Sequence, residues 1–126
     1  MVMKKFLIII LFTLVANNSY GVEKKTNFTN EIFNKAKSEG KTIVINSYES
    51  WCYTCTKQIK VLNEAEAKFT DVVFLSYEQS KHKNIGELLN IEFWTTIVVY
   101  KGNEEKSRLI GVAKKKDIFK AILKGI

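Results

Sequence analysis

Proline is absent from the 126 residues of this chain, histidine occurs once and cysteine twice. A structural zinc site wants four ligands, which Cys52, Cys55 and the single His82 cannot supply. His82 sits in a lysine-rich stretch and reads as a surface residue. No metal and no cofactor are therefore expected. The longest apolar run, Phe6 to Ala16, has 11 residues, well short of the ~20 that cross a bilayer as a helix. There is no internal repeat and no low-complexity linker, so one domain is expected.

What is present begins with Lys4 and Lys5, the apolar run, and a short polar stretch ending Ser19-Tyr20-Gly21. That is the three-part layout of a secretory signal peptide, with small residues at −3 and −1 of a cut after Gly21. No cysteine lies near the cut, so lipoprotein processing has nothing to modify. The expected division is a leader over 1–21 and a domain over 22–126, and the expected location is periplasmic. Secretion or membrane anchoring is the less favoured alternative. Losing the leader removes two lysines and no acid, taking the net charge from +7 to +5. The remaining lysines are scattered apart from Lys114–Lys116, and no aromatic–basic motif accompanies them. They read as an ordinary solvated surface and not as a nucleic-acid footprint.

Hydrophobic periodicity predicts helices over 30–39, 52–69, 84–89 and 115–124, and strands over 42–48, 72–77, 95–100 and 106–112. Cys55, Ile59, Leu62, Ala65 and Phe69 form the expected inner stripe of the long helix, and Ile118, Phe119, Ile122 and Leu123 that of the last. Gly102-Asn103 marks a hairpin turn. The order α-β-α-β-α-β-β-α implies an α/β sandwich around a mixed sheet.

Both cysteines lie in Ser47-Tyr-Glu-Ser-Trp-Cys-Tyr-Thr-Cys-Thr-Lys-Gln58, where a strand gives way to the long helix. Cys52 begins that helix, where unpaired N–H groups and the positive dipole end favour a thiolate. Cys55, one turn further, faces the core, within disulfide reach. One exposed, activated sulfur and one sheltered, resolving sulfur are what thiol–disulfide exchange requires. As a mere staple the bridge would close only four residues, worth about 2 kcal/mol in the chain-entropy model.

Trp51-Cys52-Tyr53-Thr54-Cys55-Thr56-Lys57 after a buried strand resembles the thioredoxin active-site motif, and the likeness covers most of residues 30–126. Trp94-Thr-Thr-Ile-Val-Val-Tyr-Lys-Gly102 resembles the family's segment from its cis-proline loop into the next strand. Gly111 matches a groove-lining glycine. Exported thioredoxin-like reductases, including the soluble domain of the transmembrane disulfide reductase, are similar as well. The resemblance implies the thioredoxin fold, client proteins bearing disulfides or thiols, and a membrane-embedded thiol electron donor. It also implies a substrate groove of Trp51, Tyr53, Thr54, Trp94, Thr95 and Gly111. The two tryptophans should flank the sulfur, as core or as client platform.

Three departures stand against the family pattern. Thr95 occupies the place of the cis-proline, so the Trp94–Thr95 bond is either cis, held by packing against a cost of about 3–4 kcal/mol, or trans in a reshaped loop. In the first case, the one on which the expectation for Thr95→Pro rests, an N–H becomes available beside the sulfurs, and Thr95→Pro should leave the fold intact while shifting the potential or client turnover. In the second, proline breaks a bond and lowers stability. Asn46 replaces a buried aspartate whose lysine partner has become Phe74, so no carboxylate can take the Cys55 proton there. Tyr53-Thr54 replaces Gly-Pro, altering access to the thiols. Glu49 reads as a solvated turn residue in preference to a proton relay, and Lys57 as thiolate support or plain surface. The expected protein is an exported, monomeric thiol–disulfide oxidoreductase working through Cys52 and Cys55, more as reductant than oxidant. The competing reading, fed by Asn46 and Thr95, is a non-catalytic binding or chaperone-like module with a fixed disulfide.

Overall fold

In this computed structural model the structure describes residues 26–126; residues 1–25, including the expected leader and its cut, lie outside them. The uninterrupted β-branched runs become strands because both sheet faces are covered and neither needs polar residues. Chain order is β1 (Thr26–Asn27), α1 (Asn30–Ser38), β2 (Thr42–Tyr48), α2 (Tyr53–Lys68), β3 (Val73–Glu78), α3 (Lys83–Leu89), β4 (Thr96–Lys101), β5 (Glu104–Ile110) and α4 (Lys115–Leu123). The mixed sheet has the order β1-β3-β2-β4-β5. β3 runs parallel to β1 and β2, whereas β4 is antiparallel to β2 and β5. This is the thioredoxin fold. β1 was not expected; two residues carry no periodicity, and only their pairing with Leu75 and Ser76 defines the strand.

Alternation along β2 sends its side chains to two cores. Ile43 and Ile45 pack with Leu75, Tyr77 and Val98 under α1 and α3. Val44 packs with Phe74, Ile97 and Val99 under α2 and α4. Burying each such aliphatic side chain contributes about 1.5–3 kcal/mol, so the central strands form the rigid base of the molecule. The hairpin returns two residues earlier than expected, at Glu104, because Gly102 adopts φ +57 and turns the chain at once. Gly102 N–H donates to Lys41 O at 2.9 Å, which ties this turn to the start of β2.

Two inner stripes differ from expectation. In α2 the buried residues are Cys55, Gln58, Leu62 and Ala65, with Ile59 only half-buried. In α4 they are Ile118, Ala121 and Ile122, while Leu123 is exposed and Phe119 half-buried. α2 therefore follows the alternating three-and-four spacing of a straight seam, even where that seam falls on a glutamine.

Candidate active site

β2 ends at Tyr48, and residues 49–52 make a tight turn in which Cys52 N–H donates to Glu49 O at 3.2 Å. Cys52 is the N-cap of α2, and its sulfur accepts the Cys55 N–H at 3.1 Å. The two cysteines form a disulfide with Cα atoms 5.2 Å apart. Once it is reduced, the same N–H and the helix dipole favour a Cys52 thiolate, and α2 has no acid in its first turn to oppose it. Cys55 is 1 % exposed and Cys52 7 %, so the attacking sulfur is less open than expected.

Two buried polar residues, Asn46 and Glu49, stand at this end of β2. Asn46 is 1 % exposed and shares its sheet face with Val44, Ile97 and Phe74, the face that α2 covers. Neither its Oδ1 nor its Nδ2 has a hydrogen-bond partner, and Phe74 packs into the apolar core. Glu49 is not the solvated turn residue expected. It is 5 % exposed and its carboxylate accepts from Ser80 N–H at 2.6 Å and Ser80 Oγ–H at 2.9 Å. Its charge is spent holding the β3–α3 loop, a partner 31 residues away that local sequence does not reveal. Tyr77 lies on the opposite sheet face, where burial pushes its phenol well above the usual range and keeps it neutral.

The unpartnered carboxamide of Asn46 carries a stability prediction. An unsatisfied buried amide costs about 1–3 kcal/mol, and leucine has the same number of side-chain heavy atoms without that penalty. Asn46→Leu should raise stability by about 1–2 kcal/mol, or a melting temperature higher by about 4–10 °C for a domain of this size. Thermal unfolding followed by circular dichroism checks it; a lower melting point would mean that the carboxamide is satisfied in solution.

Around the sulfurs the rim is aromatic and open. Trp51 is 68 % exposed and Trp94 40 %. Their rings meet edge to face with centroids 5.0 Å apart, so neither is core. Tyr53 is exposed, with the Lys57 ammonium 4.7 Å from its ring centre. Lys57 thus lies over an aromatic ring on the surface of α2. Thr54 is half-buried beside it. Phe93, which precedes Trp94 in the chain, is a further exposed ring, and no motif in the sequence marks it. A groove of about 640 Å³ lies at the other end of the sheet, between Gly40, Phe69 and Lys101, away from the dithiol.

The loop facing the dithiol resolves the question left by the missing proline. No cis peptide bond occurs among the described residues, so the Trp94–Thr95 bond is trans. Thr95 instead has φ +66, a left-handed conformation that is a genuine outlier for a β-branched residue. Its N–H is not free beside the sulfurs; it donates to Ser47 O at 2.8 Å. Its carbonyl accepts from Gly111 N–H at 3.0 Å and from Gln58 Nε2 at 2.8 Å. Ser47 Oγ and Thr96 Oγ1 both donate to Phe93 O, at 2.9 and 2.7 Å. Gly111, at φ +70, borders the same loop. The structure thus brings the dithiol, Trp51, Trp94, Thr95 and Gly111 to one end of the sheet.

This arrangement has parallels among known proteins. A sequence model of the thioredoxin family matches residues 20–124. Thioredoxin H-type from Fagopyrum esculentum is 34 % identical over 85 residues, 68 % of this chain and 73 % of its own length. Thioredoxin from Mycoplasma genitalium is 30 % identical over 81 residues, 64 % of this chain and 79 % of its own. Among solved structures, thioredoxin NaTrxh from Nicotiana alata superposes with a TM-score of 0.73 at 27 % identity, covering 86 % of this chain and 98 % of that one. Trxlp from Edwardsiella tarda EIB202 reaches the same TM-score at 18 % identity, over 76 % of this chain and 95 % of its own, a likeness of fold. A helix-capping dithiol on this sheet, in a sequence that the family model matches from residue 20 to residue 124, makes the chain a member of the thioredoxin family and a thiol–disulfide oxidoreductase of the thioredoxin type.

Proposed function

We propose that the protein is exported through its leader and works outside the cytoplasm as a reductant of client-protein disulfides. The observation that carries the reading is the capped Cys52 sulfur, nearly buried beside the exposed aromatic surface of Trp51 and Trp94. Such a surface suits a macromolecular client. In the cycle, the Cys52 thiolate attacks a client disulfide and releases one client thiolate. Cys55 then displaces the second client sulfur, its proton going to the leaving thiolate, and the enzyme disulfide forms. Two electrons pass to the client, so an exported reductant must be recharged. A membrane-embedded thiol donor meets that need, and the protein acts on client and donor alike as a monomer. Residues 1–21 support export by their charged start, apolar run and small residues before the cut.

Insulin reduction in the presence of dithiothreitol should be accelerated over dithiothreitol alone, and equilibration against glutathione should place the Cys52–Cys55 potential near about −270 mV. A potential near about −120 mV would make the protein an oxidant, and no acceleration would favour a fixed disulfide. Expression with the leader in a Gram-negative host should yield a periplasmic product beginning at Val22.

A further inference from the structure

Gln58 has no part in the chemistry at sulfur and is nevertheless wholly buried, at 0 % exposure. It follows Cys55 by three residues and lies on the same buried seam of α2. Its Nε2 donates to Thr95 O at 2.8 Å and to Val112 O at 2.7 Å. These acceptors belong to two loops, 37 and 54 residues further along the chain. The loops are also joined directly, through Gly111 N–H on Thr95 O. The orientation of the carboxamide follows from its partners: turned over, both Nε2 bonds would be lost and Oε1 would face two carbonyl oxygens, whereas as placed Oε1 is buried without a partner.

We propose that Gln58 is a positioning residue for client docking, fixing both loops beside the dithiol at a set distance from the helix that carries it. The proposal rests on the exchange reading above. Thr95 holds an unfavourable backbone conformation only because its neighbours over-determine it, and Gln58 supplies one of the bonds to its carbonyl. Trp94 and Gly111, the residues a client would meet beside the sulfurs, adjoin Thr95 and Val112 in sequence. Removing the two N–H donors leaves Cys52, Cys55 and the α2 N-terminus in place and the loops still tied to β2 and to each other, but it unfastens both loops from α2. The consequence falls on recognition of a large client and not on the reactivity of the disulfide.

The test is Gln58→Leu, with Gln58→Met alongside, since its flexible side chain fills the same space should leucine prevent folding. Two rates are measured: insulin reduction as a function of insulin concentration, and direct reduction of the enzyme disulfide by dithiothreitol, followed by tryptophan fluorescence. The expected result is an insulin KM raised about tenfold, as two internal bonds that hold the docking loops against α2 are lost, with kcat and the dithiothreitol rate within about twofold of wild type. An unchanged KM with only a lower melting temperature would make Gln58 structural and overturn the proposal. Equal losses in kcat and in the dithiothreitol rate would place its action on the sulfurs and overturn it too. A wild type that fails to reduce insulin would refute the exchange reading itself, an outcome distinct from either.

Discussion

Reduced Cys55→Ser, offered a disulfide-bearing protein, should accumulate a covalent mixed disulfide through Cys52, and reduced Cys52→Ser should accumulate none. The asymmetry follows from the start of α2. The Cys52 sulfur caps the helix and takes the Cys55 N–H at 3.1 Å, so the charge that develops on reduction has a donor and a dipole waiting for it. Cys55, at 1 % exposure, has no path to a client until the client is already bound to its neighbour. Serine at position 52 retains a cap but not a nucleophile, because its hydroxyl stays protonated at neutral pH. Catalysed insulin reduction should fall by at least about three orders of magnitude in Cys52→Ser. In the reduced wild type, iodoacetamide should modify Cys52 first and Cys55 only on unfolding. Equal labelling of both thiols in the native protein, or mixed disulfides trapped by Cys52→Ser, would reverse the assignment.

Position of the dithiol was legible because two local signals coincide there, a β-branched run that ends at Tyr48 and a helical seam that starts at Cys55. Burial on both faces leaves Thr42–Tyr48 no polar alternation to confuse the period, and the strand appears where expected. Reading fails where a residue's role is set from far along the chain. An apolar stripe selects Ile59 over Gln58, because a polar residue does not count toward it. The signal that could have found Gln58 is spacing alone, since it falls midway between Cys55 and Leu62. Glu49 read as solvated because Ser80, which accounts for its burial, is 31 residues away. Hydrophobicity places Leu123 in the core, but the seam of α4 runs through Ala121. Nothing local announces a left-handed threonine, because threonine itself resists that conformation. Thr95 adopts it through bonds to β2, α2 and the segment after β5, which exist only once the sheet is assembled.

The Thr95 site therefore carries the largest stability effect expected in the molecule. Thr95→Pro should destabilise the domain, against the tolerance that a cis geometry would have allowed. Proline fixes φ near −65°, whereas Thr95 sits at +66°. It also has no N–H to give to Ser47 O, a bond of 2.8 Å at the end of a central strand. Ser47 is fully buried, so the abandoned carbonyl has no water to replace the lost donor. Together these cost about 3 kcal/mol or more, equivalent to a melting temperature lower by about 12–20 °C. Thr95→Gly is the companion variant. Glycine keeps the N–H and removes the left-handed penalty of about 1–2 kcal/mol, while its freer unfolded chain returns about 0.5–1 kcal/mol of that gain. Its stability should lie within about 1 kcal/mol of wild type, on the stable side. Denaturant unfolding of the three proteins separates the terms, because only proline removes the bond to Ser47. A proline variant as stable as wild type would mean that the loop can pass to a geometry in which neither the N–H nor the positive φ is needed.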